Sequence, residues 1–113
     1  MNETLHVGLD VGSTTVKIIV MDKNKNTLYK NYQRHFSDTK NTVCKVLEDL
    51  LIKYPLNSFT LALTGSGAMS AAKFLGVDFI QEVVSCKRAV EKYIPKTDVV
   101  IELGGEDAKI IYF

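Results

Sequence analysis

The most informative stretch of the sequence is VGLDVGSTTVK, residues 7–17, in which two strand patterns flank a glycine-containing turn. Apolar residues alternate with other residues on both sides of the turn, and a period of two predicts β-strands. Asp10 lies near the end of the first strand, and Gly12, Ser13 and Thr14 form the tip. Because parallel neighbours need a long crossover, this tight connection predicts an antiparallel hairpin.

The rest of the chain predicts an α/β domain with helices on the faces of a mixed sheet. A third strand pattern over residues 27–34 extends the hairpin to an antiparallel meander. Apolar residues from Val43 to Tyr54 recur at helical spacing, and Pro55 ends that helix. Further strands are predicted at residues 59–64, 78–80, 98–103 and 108–113, and further helices at 68–75 and 82–94.

Length and charge exclude several classes of protein. The 113 residues fit one small domain, and 14 basic residues against 13 acidic ones leave a formal charge of +1. This balance argues against nucleic-acid binding, and the apolar content argues against disorder. No apolar run approaches the roughly 20 residues that span a bilayer, and residues 1–6 do not resemble a signal peptide. We therefore expect a cytoplasmic protein without nucleic-acid or membrane partners.

The tip of the hairpin is the first candidate site. Converging N–H groups in a glycine turn can bind an anion, and the hydroxyl groups of Ser13, Thr14 and Thr15 add donors. Asp10 is predicted to face a cation, Mg²⁺ held through water, because Mg²⁺ keeps several waters beside phosphate. The alternative is an ordinary hairpin. Asp10 favours function, because an acid in an apolar strand must lie at an end, be paired or be functional.

Two further glycine turns carry candidate residues. IELGGEDAK, residues 101–109, repeats the order of strand, acid, two glycines and strand, and its three carboxylates could hold a metal or orient water. A solvated turn is the alternative for that stretch, but two such hairpins in one short chain favour function. LTGSGA, residues 63–68, is compatible equally with the approach of a phosphate and with a simple connection from strand to helix.

The histidines and cysteines are expected to be structural. His6 and His35 are isolated in the sequence, so a surface or strand-edge position is expected rather than a metal site. Cys44 and Cys86 lie on two predicted helices and are expected to be small, buried hydrophobic residues. Two isolated cysteines are too few for a disulfide framework or a metal knuckle.

Four motifs in order, VGLDVGSTTVK, LTGSG, EVVSC and IELGGEDAKI, resemble the activator ATPases of 2-hydroxyacyl-CoA dehydratases and benzoyl-CoA reductases, the BadF/BadG/BcrA/BcrD type. With RHFSD at residues 34–38, they are most similar to the long members known as CoA-substrate-specific enzyme activases. The resemblance covers essentially the whole chain. It implies the RNase-H-like fold of the actin, sugar-kinase and chaperone ATPase superfamily, with a five-stranded sheet of order 3-2-1-4-5 and a terminal β-hairpin.

The resemblance also implies a nucleotide and its contacts. ATP or ADP with Mg²⁺ would lie in a cleft between two related domains, with Asp10 as a catalytic acid near Mg²⁺ and Glu102 as the acid of the second motif. The phosphates would be bound by Gly12, Ser13, Thr14, Lys17, Gly104 and Gly105. In the family, hydrolysis drives a conformational change around a [4Fe–4S] cluster that passes an electron to a dehydratase or reductase.

The chain is accordingly expected to be the N-terminal fragment of a longer ATPase. Residues 1–95 would form the first subdomain, and residues 97–113 the opening hairpin of a second one, which packs on the first or pairs with another copy in a homodimer. The fragment is expected to bind ATP weakly and hydrolyse it negligibly, whereas the full-length protein would be an ATPase. Its partner would be a CoA-dehydratase or reductase component, separate or fused in the same chain. The cluster ligands would follow Phe113, since neither Cys44 nor Cys86 matches one.

Two alternative functions remain open. A small-molecule kinase of the same superfamily is disfavoured, because the two phosphate motifs are about 90 residues apart and leave no room for the insertions that sugar kinases carry. A nucleotide-sensing or assembly module without catalysis is the other alternative. It is motivated by Glu102 and Glu106, which stand where the family often has aspartate and glutamine.

Overall fold

The computed structural model describes residues 3–76, 78–103 and 108–112. Within these residues, strands and helices follow in the order β-β-β-α-β-α-β-α-β-β. The strands are β1 (Thr4–Val11), β2 (Thr15–Met21), β3 (Thr27–Arg34), β4 (Ser58–Thr64), β5 (Asp78–Phe79), β6 (Val99–Leu103) and β7 (Ala108–Tyr112). The helices are α1 (Thr39–Lys53), α2 (Ala68–Leu75) and α3 (Glu82–Tyr93).

The first five strands form a mixed sheet of order β3-β2-β1-β4-β5. β1 pairs antiparallel with β2 and parallel with β4, and β2 pairs antiparallel with β3. These three ladders are long, whereas β5 pairs with β4 at just two positions, Ala62 and Leu63. The predicted α/β class with a mixed sheet is confirmed. The predicted order holds through 3-2-1-4 with long ladders, and the fifth strand is reduced to two residues.

One face of this sheet forms the core, because alternate residues of each strand point to the same side. Helices α1 and α2 contribute the residues that cover this face. The buried cluster consists of Leu5, Val7, Leu9, Val11, Val16, Ile18, Val20, Val43, Val46, Leu50, Leu63, Ala68 and Ala72. The intervening positions of β1, His6, Gly8 and Asp10, are exposed or half-buried. The second face of the sheet is therefore open enough to carry a functional site.

Helix α1 occupies the predicted segment, but its N-cap and the exposure of two of its residues differ from what the sequence suggests. Asp38 is the N-cap residue, yet its carboxylate accepts a hydrogen bond from Asn41 Nδ2 (3.1 Å) rather than from a backbone N–H group. Leu51 is 56% exposed, because the apolar stripe is wider than the helix surface that contacts the sheet. Cys44 is exposed, so the prediction of a buried cysteine was wrong there. It lies one position after the buried Val43, about 100° further around the helix.

The turn between β2 and β3 is held by a carboxylate. Asp22 Oδ1 accepts hydrogen bonds from the backbone N–H groups of Asn24 (2.8 Å) and Asn26 (2.9 Å). The Asn26 N–H group is the main cause that holds the pKa of Asp22 below its ordinary value, since it stabilises the charged form. The hydrogen bonds of this carboxylate therefore hold the turn through residues within the turn itself.

The last two strands form a sheet of their own, the predicted terminal hairpin. β7 contacts α3, and its Ile111 is buried, with 6% of its surface exposed. On the other face of the hairpin, a row of large apolar side chains is exposed: Val99, Ile101, Leu103, Ile110 and Tyr112. The assignment of residues 1–95 and 97–113 to two subdomains stays a prediction.

The three helices α1, α2 and α3 have 15, 8 and 12 residues. In the part of the chain that the structure describes, none of them is long and apolar enough to cross a membrane.

Candidate functional site

The β1–β2 connection is a compact loop at the carboxyl end of β1. Gly12 N–H donates to the Thr15 carbonyl oxygen (2.8 Å), which closes the loop over Ser13 and Thr14. Within residues 3–76, 78–103 and 108–112, Ser13 and Thr14 donate no hydrogen bond through their N–H or hydroxyl groups. Backbone donors that have no protein partner are the groups that an anion can satisfy.

The turn that follows β4 packs against the same strand end. β1 and β4 are parallel neighbours, so their carboxyl ends, at Val11 and Thr64, lie at one edge of the sheet. Gly67 N–H donates to the Val11 carbonyl oxygen (2.8 Å). Gly65 has a φ of +105°, and a Cβ atom there would overlap that carbonyl oxygen and lie 2.6 Å from Asp10 Oδ1. The structure thus brings the first and third glycine motifs together, and only glycine fits at the contact.

Asp10 and Lys17 meet on the open face of the sheet. They are partners in the β1–β2 register, and Lys17 Nζ lies 3.5 Å from Asp10 Oδ2. The Lys17 ammonium also lies 5.7 Å from the centre of the Tyr32 ring. The lysine and aspartate side chains are 48% and 37% exposed, so solvent screens their attraction to at most about 1 kcal/mol. A phosphate or a hydrated cation can therefore separate the pair at little cost.

A cavity of about 260 Å³ opens on this face beside Asp10 and Lys17. Small residues of the sheet, Gly8 and Ala62, leave room for it, and α3 borders it on one side. The residues that line the cavity do not include the loop at positions 12–14. The acid and the lysine therefore lie between the cavity and the loop at the strand end.

The second glycine motif lies largely outside the described residues. The backbone of Glu102 is in β6, opposite Lys109 in the register. The Glu102 side chain and residues 104–107, which include Gly104 and Gly105, are not described. The predicted roles of Glu102, Gly104 and Gly105 therefore stay predictions.

The described residues fit a hydrated Mg²⁺ beside a phosphate better than a directly ligated metal. No group of three or more His, Cys, Asp or Glu residues among them could hold a metal ion. Asp10 offers one carboxylate, and Mg²⁺ at phosphate sites is commonly held by one or two carboxylates with waters. A [4Fe–4S] cluster needs four thiolates, whereas Cys44 and Cys86 lie on different helices. The residues of this chain by themselves do not fit a cluster.

His35, which belongs to none of the glycine motifs, lies against the loop. A surface or strand-edge position is expected from the sequence rather than a metal site, but the residue is buried, with 5% of its surface exposed. Its N–H donates to the Thr14 carbonyl oxygen (3.0 Å), and its Nε2 lies 3.0 Å from the Gly12 carbonyl oxygen. The β2–β3 register pairs Thr15 with Arg34, so a predicted meander already places the residue after Arg34 beside the loop.

His6 is the histidine that matches its expected position. It is exposed in β1, and its Nδ1 lies 2.7 Å from Thr60 Oγ1 of the neighbouring strand. It therefore serves as a comparison for His35.

Comparison with known proteins gives relatives in sequence. No protein-family profile matches the chain. It is 32% identical over 110 residues to the (R)-2-hydroxyglutaryl-CoA dehydratase activating ATPase of Acidaminococcus fermentans. The aligned region covers 94% of this chain and 41% of that relative. The chain is 27% identical over 105 residues to the uncharacterized protein MJ0004 of Methanocaldococcus jannaschii, covering 93% and 42% of the two chains. The chain thus spans about two fifths of the length of these relatives.

Solved structures agree with the sequence relatives. The activator of the 2-hydroxyisocaproyl-CoA dehydratase from Clostridium difficile, with bound ADPNP, matches with a TM-score of 0.75 and 26% identity, over 96% of this chain and 40% of that one. Component A of the Acidaminococcus fermentans (R)-2-hydroxyglutaryl-CoA dehydratase matches with a TM-score of 0.80 and 21% identity, over 96% and 42%. The Acidaminococcus fermentans relative and the Clostridium difficile structure are thus both activators of 2-hydroxyacyl-CoA dehydratases. The resemblance inferred from the four motifs is confirmed.

More distant structures share the fold alone. An exopolyphosphatase from Cytophaga hutchinsonii matches with a TM-score of 0.67 at 15% identity, over 96% of this chain and 46% of that one. The structural neighbours have the actin-like ATPase and sugar-kinase fold, as the resemblance implied.

Proposed function

We propose that this chain binds Mg·ATP at the Gly12–Thr14 loop and forms one wall of the nucleotide cleft of an activating ATPase for a 2-hydroxyacyl-CoA dehydratase. The observation that carries the proposal is the loop itself, whose Ser13 and Thr14 donors have no hydrogen-bond partner within the described residues. Its position fits, because open α/β sheets bind ligands outside the carboxyl ends of their strands. The Clostridium difficile activator, 26% identical, contains bound ADPNP, which supports a nucleotide as the ligand.

The residues around the loop are proposed to contact different parts of Mg·ATP. The N–H and hydroxyl groups of Ser13 and Thr14 donate hydrogen bonds to phosphate oxygens. Asp10 holds the waters of Mg²⁺, and Lys17 leaves the weak pair with Asp10 to contact a phosphate oxygen. Bound Mg²⁺ neutralises charge on the phosphates, and phosphoryl transfer depends mainly on such neutralisation and on positioning.

The proposal for the whole protein adds a second wall. Residues 97–113 open the second subdomain and face residues 1–95, with Glu102 as its acid and with Gly104 and Gly105 against the phosphates. The separate β6–β7 sheet supports this division, and its exposed apolar face is also where a second copy of the chain would pair. In the cytoplasm, ATP hydrolysis would drive an electron through a [4Fe–4S] cluster, held by ligands outside this chain, into a dehydratase or reductase.

Thermal unfolding of the purified chain with millimolar ATP, with and without Mg²⁺, tests the nucleotide site. A ligand that binds the folded state alone and is present at ten times its Kd stabilises that state by about 1.4 kcal/mol, and the midpoint rises accordingly. We expect Mg·ATP to raise the midpoint of the wild type. In Asp10→Asn, the additional rise of the midpoint that Mg²⁺ causes should be mostly lost, because the variant has no carboxylate charge to hold the hydrated cation.

Asp49→Asn is the matched control, since it removes an exposed acid from α1, away from the loop. It should respond to Mg·ATP as the wild type does. The proposal fails if the wild-type midpoint does not move, or if Asp10→Asn keeps the full dependence on Mg²⁺.

A further inference from the structure

We propose that His35 is the positioning residue of the Gly12–Thr14 loop and that it acts as a neutral imidazole with its proton on Nε2. The proposal rests on the proposed nucleotide site and names the residue that gives that site its shape. His35 lies 23 residues after Gly12 in the sequence, outside every glycine motif, and reaches the loop from the end of β3.

His35 contacts the loop through both its backbone and its ring. The backbone N–H donates to the Thr14 carbonyl oxygen at 3.0 Å, and the ring nitrogen Nε2 lies 3.0 Å from the Gly12 carbonyl oxygen. These two carbonyl groups stand on either side of Ser13. Because His35 is 95% buried, water does not compete effectively for these bonds, and one residue holds both ends of the segment.

The second ring nitrogen defines the tautomer. Ser37 N–H donates to Nδ1 at 3.1 Å, so Nδ1 presents a lone pair and carries no hydrogen. The Gly12 carbonyl oxygen can only accept, so Nε2 carries the hydrogen and donates it. A doubly protonated ring would bring two N–H groups face to face at Nδ1 and Ser37. The two contacts therefore require the neutral form with hydrogen on Nε2.

The turn after β3 is shaped to present this ring. Phe36 and Ser37 have φ values of +48° and +64°, in the left-handed region that residues with side chains rarely adopt. Two hydrogen bonds close the turn: Ser37 N–H to His35 Nδ1, and Asp38 N–H to the His35 carbonyl oxygen (2.8 Å). Backbone in this region persists where its surroundings over-determine it, and here both bonds end on His35.

Peptide geometry links these bonds to the donors of the site. The Gly12 carbonyl and the Ser13 N–H belong to one planar trans peptide, so they point in opposite directions. When His35 Nε2–H holds the carbonyl, the Ser13 N–H is directed to the other side of the loop, where the phosphate is proposed to bind. Without that bond the peptide can rotate and the donor is lost from the site.

Two variants each keep one of the two hydrogen bonds of the ring, either the donor to the Gly12 carbonyl or the acceptor for Ser37 N–H. His35→Gln keeps an N–H donor at the same number of bonds from Cα as Nε2, so it can reach the Gly12 carbonyl. His35→Asn keeps an acceptor at the position of Nδ1 for Ser37 N–H, but it is too short to reach Gly12. The Kd for Mg·ADPNP, measured by NMR titration of the ¹⁵N-labelled chain, should rise about fivefold in His35→Asn, which corresponds to one hydrogen bond of about 1 kcal/mol.

The expected contrast lies between the two variants. His35→Gln should bind Mg·ADPNP with a Kd close to that of the wild type, and the control His6→Asn, which changes the exposed histidine, should do the same. In the wild type, long-range ¹H–¹⁵N correlations should show hydrogen on Nε2 and none on Nδ1 of His35.

Each failure has its own meaning. Wild-type affinity in His35→Asn, equal losses in His35→Asn and His35→Gln, or a hydrogen on Nδ1 would overturn the role of His35 and leave the nucleotide site standing. Absence of Mg·ADPNP binding by the wild type would overturn the proposed function itself, and the positioning role with it.

Discussion

Gly65 makes the tightest backbone approach at the candidate site. It has a φ of +105°, and a Cβ atom there would overlap the Val11 carbonyl oxygen and crowd Asp10 Oδ1. Gly76, the C-cap of α2, also has a positive φ, +67°, but a Cβ atom there would meet no atom of the described residues within 4 Å. The same substitution at these two glycines therefore separates the cost of the backbone conformation from the cost of the contact.

We expect Gly76→Ala to lower the free energy of unfolding by about 1 kcal/mol, the cost of a left-handed conformation for a residue with a side chain. Gly65→Ala should lower it by about 3 kcal/mol, because the overlap with β1 adds to that cost. Equilibrium unfolding in urea measures both values. Equal losses in the two variants would show that the turn after β4 does not approach β1 closely.

The residues of the site differ in how far they could be predicted. Asp10 and Gly12 follow from local sequence, because a strand pattern, an acid and a glycine turn lie within a few positions. The contact of Gly65 with β1 and that of His35 with the loop depend on which strands become neighbours, which no single motif contains. Cys44 was assigned to the wrong side of α1, because a position beside the apolar stripe is not part of it.

The elements themselves could be predicted well, because their periodicities are strong. The alternation in β1 matches its burial, and the turn at positions 12–14 sets the register of the hairpin. The short strand predicted at residues 78–80 is observed at Asp78–Phe79, one residue shorter than predicted. The spread of apolar residues along α1 does not reveal that Leu51 remains exposed.

The β6–β7 hairpin is attached to the rest of the molecule through one face. Ile111 of β7 is buried, whereas its neighbour Ile110 is 58% exposed. Since an isolated two-stranded hairpin is marginal in water, the buried face accounts for its stability. These adjacent isoleucines provide a matched pair that differs only in which face of the hairpin they occupy.

We expect Ile111→Ala to destabilise the hairpin by about 2 to 4 kcal/mol, through lost burial and the cavity left behind. Ile110→Ala should change its stability by no more than about 0.5 kcal/mol, because an exposed side chain loses few contacts. Hydrogen exchange of the β6 amides measures the effect where it occurs. Similar exchange rates in the two variants would contradict the packing of β7 against the rest of the chain.

In the whole molecule, the candidate nucleotide site lies at one edge of the five-stranded sheet. The parallel pair β1 and β4 ends at a single edge, where the loop at positions 12–14 and the turn containing Gly65 and Gly67 meet. The neighbouring open face carries Asp10 and Lys17 beside a cavity of about 260 Å³. The Clostridium difficile activator, a solved structure similar to this chain, contains bound ADPNP, which supports the proposal of a nucleotide at this edge.

An NMR map of Mg·ADPNP binding to the chain tests whether a nucleotide binds at this edge of the sheet. The ¹H–¹⁵N spectrum of the 113-residue chain reports every backbone amide at once, so the ligand's position needs no variant. We expect the largest shifts on the amides of Gly12, Ser13 and Thr14, with smaller ones at Gly67 and Lys17. Largest shifts on α1, or no shifts up to the solubility limit of the nucleotide, would show that no nucleotide binds at this edge.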